Sequence, residues 1–481
     1  MVLENLYPER VFYYFEKLAA IPHGSRNTKA ISDYLVNFAK EHNLEWYQDE
    51  WNNVIIIKEA SVGYEASEPI IIQGHMDMVC EKEEGCLKDF EKEGLDLYVE
   101  DGFLKAKGTT LGGDDGIAVA YALAILESCE LSHPRLEVVI TVDEEIGMLG
   151  ATAMDLSMLK GRKMLNIDSD EEGHFLTSCA GGMSLVASIP VNRISQSGRK
   201  LALTVTGLQG GHSGGEIHKE RGNADILMGR VLNAICEQTP LGIISLAGGL
   251  KDNAIPRSCI AEILVPDENV NLVKGIVDNL NDAFAGELAC ADPEVQVLCE
   301  DQGNQIADIL DYISVNKVIY YLRTVPNGVI HMSQVMQGLV ETSLNLGIME
   351  LRDEELHTVT SVRSSVGSRK EDLAKRVSAV IEMAGGEVEI QGDYPAWEYR
   401  QNSPLRDLVS EVYEDLYQEK PIFDAIHAGL ECGLFSGKLP GLDCVSFGPE
   451  NLDIHTPKER LNIASTGRVW DFIVELLRRA K

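Results

Sequence analysis

The side chains in this chain that could do chemistry together stand just after apolar runs or in glycine turns. His75 and Asp77, in Gly74-His75-Met76-Asp77, follow the β-branched run 70–72; Glu144 and Glu145 follow the apolar run 136–140; Asp168, in Asn166-Ile167-Asp168-Ser169, follows another. Asp114 and Asp115 lie in Gly112-Gly113-Asp114-Asp115-Gly116, and His455 stands far downstream, after Gly448-Pro449. Singly, each reads as a solvated turn residue or a helix cap. Together they supply imidazole and carboxylate donors without thiolate, a set that suits Zn, Mn or Co in a hydrolytic site. Two such ions roughly 3.5–4 Å apart would share a carboxylate and a water, whose pKa falls toward neutrality. Adjacent glutamates at a strand end point different ways, so one can hold a metal while its neighbour moves a proton. The glycine turn is no phosphate cradle, because neither Gly-Lys-Ser/Thr nor Gly-x-Gly-x-x-Gly occurs there.

Elements of two textures must position these groups. Residues 9–20 and 28–43 carry apolar side chains at helical spacing, 54–57 and 70–72 read as inner strands, and 117–128 as a helix after the glycine turn. A strand at 136–142, a helix over 151–159 and the apolar run 164–167 continue the alternation. This predicts an α/β domain whose largely parallel mixed sheet is flanked by helices. Sites in such sheets form outside the carboxyl ends of strands, which is where His75, Glu144, Glu145 and Asp168 fall. The texture changes near residues 179–182. Strands at 185–190 and 201–206 joined by a polar turn over 195–200, a helix at 222–236, a strand at 260–265 and a helix at 269–284 follow. With paired strands at 344–349 and 356–362, a helix at 370–384 and a strand at 387–390, they predict an antiparallel α+β insert. Helix–strand alternation returns from about residue 397 and ends in a helix over 465–481. The expected organisation is one domain in two parts, 1–185 and 396–481, interrupted by an α+β domain over 186–395.

Composition narrows the partners. The formal charge of −34 argues against nucleic-acid phosphates and anionic membranes, and is compatible with metal ions and small zwitterions. Ten cysteines with no Cys-x-x-Cys pair read as reduced thiols, with Cys432 and Cys444 as packing residues. The first ten residues carry Glu4 and Glu9 and no apolar signal core, and no apolar run approaches a membrane span. A cytoplasmic soluble protein is expected.

The order Gly-His-x-Asp, Thr-Thr-Leu-Gly-x-Asp, Glu-Glu, Asn-x-Asp-Ser and a late Gly-Pro…His resembles the di-zinc exopeptidases with an inserted lid domain, and more narrowly the aminoacyl-histidine (Xaa-His) dipeptidases. The likeness runs nearly end to end. It takes in Ile21-Pro22-His23-Gly24-Ser25, Cys179-Ala180-Gly181-Gly182, Gly210-Gly211-His212-Ser213-Gly214-Gly215-Glu216-Ile217-His218, Asn253-Ala254-Ile255-Pro256-Arg257, Val362-Arg363-Ser364-Ser365 and His427-Ala428-Gly429-Leu430-Glu431-Cys432-Gly433. The resemblance implies that His75 and Asp168 hold one zinc, that Glu145 and His455 hold the other, and that Asp114 bridges them; Co or Mn are the alternatives. Asp115 follows Asp114 where some relatives carry Asn. The resemblance further implies Asp77 behind His75 and Glu144 as general base toward a bridging hydroxide. His212 is implied as a lid donor to the oxyanion, from its own chain or from the partner of a homodimer. Arg363 and Asn253 would meet the substrate's C-terminal carboxylate and Glu431 its free amino group. The implied activity is hydrolysis of dipeptides such as β-alanyl-histidine. A tripeptidase or N-acyl amino acid amidohydrolase could use the same metal set. An inactive metal-binding or interaction protein would have no need of the Glu144 base.

Overall fold

The computed structural model describes residues 2–481, and its contacts divide them into two units. One runs to Ser178 and includes Tyr399–Ala425 and Leu430–Lys481; the other is Cys179–Glu398 with Ile426–Gly429. The strand Gly181–Pro190 runs unbroken through position 185, the boundary that the sequence texture predicts.

The first unit is built on an eight-stranded sheet. Its centre is four parallel neighbours: Leu136–Thr141, Ile70–His75, Lys163–Asn166 and Asp443–Ser446. Val54–Lys58 and Glu45–Gln48 extend it antiparallel at one edge. The central strands are buried on both faces, which is why they read as unbroken apolar runs. The helix Gly113–Glu127 is buried around nearly its whole circumference, from Ile117 to Leu126, and so shows no polar stripe. It presses so close to Ile70–His75 that a Cβ on Gly74 would come within 2.5 Å of Asp115 Oδ2. The helix expected over 151–159 is only Leu149–Ala153. Asp155 ends it by accepting the Ser157 N–H at 2.9 Å and the Ser157 hydroxyl at 3.0 Å, a local turn that competes with helix. Among the described residues no helix is long and apolar enough to cross a membrane.

The second unit is a nine-stranded sheet, antiparallel throughout its recorded pairings. Helices Ala224–Cys236, Val270–Glu287, Tyr312–Thr324 and Gly367–Met383 share a buried apolar cluster with it. The polar stretch 195–200 is not a turn: the strand Arg193–Thr206 runs straight through it, paired with Gln296–Leu310. Pairing with Cys259–Val265 begins only at Arg199, and residues 194–197 are exposed, so this stretch of the strand needs no apolar face.

This core holds one unusual acid. Asp225 is fully buried, and among the described residues its carboxylate finds no donor stronger than the Cys259 thiol. Burial pushes it up to about 7. The unfolded chain therefore releases this proton first as pH climbs past the ordinary aspartate value, and the fold loses stability from there until the folded group also ionises near pH 7. Asp225→Asn should flatten that slope, changing the stability difference between about pH 4 and pH 8 by up to about 4 kcal/mol relative to wild type. Denaturant unfolding of both proteins at the two pH values measures it.

Candidate metal centre

The first unit brings its candidate residues together at the carboxyl ends of the parallel strands. His75 closes Ile70–His75 with its ring buried. Nδ1 donates to the Asp77 carbonyl at 3.0 Å, while Nε2 lies 3.1 Å from Asp114 Oδ1 and 3.6 Å from Asp168 Oδ1. The other Asp114 oxygen lies 3.1 Å from His455 Nε2, which is also 3.0 Å from Glu145 Oε2. His75, Asp114 and Asp168 thus form one set of donors, and Asp114, Glu145 and His455 a second, each with its donor atoms within 4.8 Å of one another. Asp115 turns away: its Oδ2 accepts the His75 N–H at 3.2 Å, and burial pushes its carboxyl well above the usual range.

Asp77 has three partners. Its Oδ2 accepts the Ser25 hydroxyl at 2.8 Å, its Oδ1 accepts the Glu144 N–H at 3.1 Å, and Oδ1 also lies 3.5 Å from His75 Nδ1. One residue therefore orients both the ring, through its carbonyl, and the turn that carries Glu144, through its carboxylate. That turn closes through the Met148 N–H on the Glu144 carbonyl at 2.8 Å.

In the second unit His212 lies on the short strand Gly211–His212, paired with Ala254–Ile255. Its Nδ1 accepts the N–H groups of Gly214 at 3.2 Å and Gly215 at 3.0 Å. That fixes the neutral tautomer with the proton on Nε2, and burial followed by the Arg363 charge lowers its pKa. Arg363 donates to the Tyr394 hydroxyl at 3.1 Å and makes no ion pair among the described residues, while its buried Nε is unpartnered there. Asn253 lies in the turn before Ala254. His427, bonded to Ser343 Oγ at 2.7 Å, is pushed down to about 3 by burial and by Arg363.

Residues 71–479 match the model of the peptidase family M20/M25/M40. The chain belongs to this family. It is similar to the cytosol non-specific dipeptidase of Escherichia coli K12, 37% identical over 99% of this chain and 98% of that one. It is similar in structure to an aminoacylhistidine dipeptidase from Vibrio alginolyticus, with a TM-score of 0.94 and 35% identity over 99% of this chain and 97% of the other. An aminopeptidase from Bacillus cereus shares the fold at a TM-score of 0.57 and 14% identity, over 99% of each chain. The chain is thus an enzyme of the peptidase class, with the mixed α/β fold and second domain of M20 relatives.

The electrostatics of this M20 site call for cations. Burial disfavours a charged ring, yet Asp114, Asp168 and Asp77 hold His75 well above its ordinary value. Asp114 and Glu145 raise His455 to about 10. Burial opposes it, but His455 and His75 draw Asp114 below the carboxylate range. Asp168 is pushed up to about 6 by burial, with Asp114 and Glu145 adding to the shift. Glu144 rises well above its range through burial, with Asp168, Glu431 and Glu145 adding repulsion. Glu145 Oε1 is buried without a hydrogen-bond partner among the described residues. Four carboxylates crowd two imidazoles, and this nitrogen–oxygen donor set fits a pair of divalent ions.

Two arrangements went unread in the sequence. Glu431, expected beside a substrate amine, is fully buried: Oε2 accepts from Gln73 Nε2 and, at 2.7 Å, from the Thr141 hydroxyl. Asn166 Nδ2 in turn donates to Gln73 Oε1. The available signal was polar residues inside apolar strands, Gln73 after Ile72 and Asn166 after Leu165. Each stands two residues before a candidate ligand. The other arrangement is Ser25 on Asp77, in a segment noted only for its family likeness.

Proposed function

We propose that this chain hydrolyses dipeptides, Xaa-His substrates among them, at two divalent ions held by His75 and Asp168, by Glu145 and His455, and by Asp114 between them. The observation that carries this reading is Asp114, which offers one oxygen to each of two imidazoles, each flanked by a further carboxylate. Zinc, or cobalt or manganese, would polarise the scissile carbonyl and acidify the attacking water. Glu144 takes the proton from that water as the C–O bond forms, and delivers it to the amine as the C–N bond breaks. A carboxyl held above its usual range by burial is matched to that double task. His212, with its proton on Nε2, is the donor to the developing oxyanion. Arg363 pairs with the substrate's C-terminal carboxylate and Asn253 adds a hydrogen bond. Glu431 enters as a buried support for Gln73 and Thr141 rather than as a contact for the amine. The working form is taken to be a cytoplasmic homodimer, as the family likeness implies.

The test is chelation followed by addition of Zn, Mn or Co, with assay of a dipeptide panel including β-alanyl-histidine, a tripeptide and an N-acyl amino acid. Chelation should lower dipeptide hydrolysis by at least about 10²-fold, and one of the three metals should restore it. Restored preference for the N-acyl amino acid or the tripeptide would favour those activities instead. Absence of any metal-restored hydrolysis would overturn the enzymatic reading.

A further inference from the structure

Glu459, four residues after His455, reaches the loop that presents Asp114. The side chain is buried, with residue exposure of 3%. Oε2 accepts the N–H groups of Leu111 at 2.7 Å and Gly112 at 3.0 Å. Oε1 accepts those of Gly113 at 2.8 Å and Asp114 at 3.3 Å, and Asn451 Nδ2 at 3.1 Å. Four consecutive backbone donors thus converge on one carboxylate. The glycines permit it: Gly112 has φ +67°, and a Cβ on Gly113 would lie 3.1 Å from Glu459 Oε1 and 2.8 Å from Asn451 Nδ2.

The grip joins the two halves of the ligand set. Glu459 directly precedes the strand Arg460–Asn462, which pairs antiparallel with Asn451–Leu452, and His455 lies in the connection between them. One end of the clamp therefore belongs to the hairpin bearing His455 and the other to the loop bearing Asp114. A helix start can be capped locally, as Ser403 does by accepting the Arg406 N–H and Asn462 by accepting the Ser465 N–H. Helix Gly113–Glu127 has no side-chain cap on its own Gly112. Its backbone is non-helical at Asp114 and Asp115, so Glu459, 345 positions beyond Asp114, grips the loop ahead of the regular helix and sets where Asp114 stands relative to His455. We infer that Glu459 is a positioning residue that holds Asp114 and His455 in register, and with them the spacing of the two cation positions. This rests on the reading of those two residues as cation ligands.

The test is titration of the metal-stripped protein with Co²⁺, followed by its visible absorption, in wild type, Glu459→Gln and Glu137→Gln. Glutamine keeps the shape but turns an N–H₂ toward backbone donors. Glu137 is the control, a fully buried carboxylate of the same unit that accepts the N–H groups of Lys160 at 2.9 Å and Gly161 at 3.0 Å. E459Q is expected to weaken Co²⁺ binding about 10–100-fold and to shift the absorption band, as loss of a group that orients ligands does. E137Q should lower thermal stability while binding Co²⁺ as wild type does. Should E459Q not fold, Glu459→Asp, with both oxygens kept but a shorter reach, should fall between wild type and that range. Unchanged Co²⁺ binding in the Glu459 variants, or equal weakening in E137Q, would overturn the inference alone. A wild-type protein that takes up no Co²⁺ would overturn the ligand assignment and this inference with it.

Discussion

Glu144→Ala is expected to retain metal near the wild-type level while its dipeptide turnover falls by about 10²–10⁴-fold, the range a positioned general base supplies. The two effects separate because the turn does not depend on the Glu144 carboxylate. Its backbone N–H is held by Asp77 Oδ1 at 3.1 Å, and Asp77 is braced by Ser25 and stands against His75. The adjacent Glu145 carries the other burden, with one oxygen 3.0 Å from His455 Nε2 and the second buried and unpartnered among the described residues. Glu145→Ala should therefore lose metal as well as activity. Metal analysis of each purified variant beside its turnover decides the matter. If Glu144→Ala loses metal and Glu145→Ala keeps it, the two glutamates exchange roles.

Much of this site was legible because burial writes strands plainly. Runs such as Val54–Lys58 and Ile70–His75 are apolar since both faces of the sheet are covered, and the first polar residues beyond them fall where the backbone leaves the core. The order of His75, Glu144, Glu145 and Asp168 along the chain thus maps onto neighbouring strand ends without knowledge of the fold. The sequence is silent where a side chain answers to distant backbone. Glu459 binds amides 345 to 348 residues away, and its neighbours Thr456-Pro457-Lys458 read as an ordinary turn. Asp225 reads as a first-turn helix acid, since nothing local announces that Gly248 leaves room for it; a Cβ there would lie 1.7 Å from Asp225 Oδ1. The exposed stretch 194–197 of Arg193–Thr206 misled for the opposite reason. With no core to face, its strand has no apolar alternation to show.

The pair Asp114 and Asp115 gives the sharpest contrast between neighbouring residues. Asp114 is expected to be indispensable: Asp114→Asn should lower metal content and reduce turnover by at least about 10²–10³-fold, the range for removing one group that stabilises transition-state charge. The reason is geometric. Asp114 presents a separate oxygen to each imidazole at 3.1 Å, and an amide keeps only one acceptor while turning an N–H₂ toward the other position. Asp115→Asn should change turnover by less than about 10-fold, since interactions of this kind contribute only about 1 kcal/mol when replaced in kind. Burial holds the Asp115 carboxyl well above the usual range, so an uncharged amide is less foreign there than at Asp114. Its contact is the His75 N–H at 3.2 Å, and the amide oxygen of an asparagine at the same position can accept that hydrogen. Turnover and metal content of the two variants, measured side by side, check the contrast; equal losses in both would mean that the two carboxylates share the bridging position.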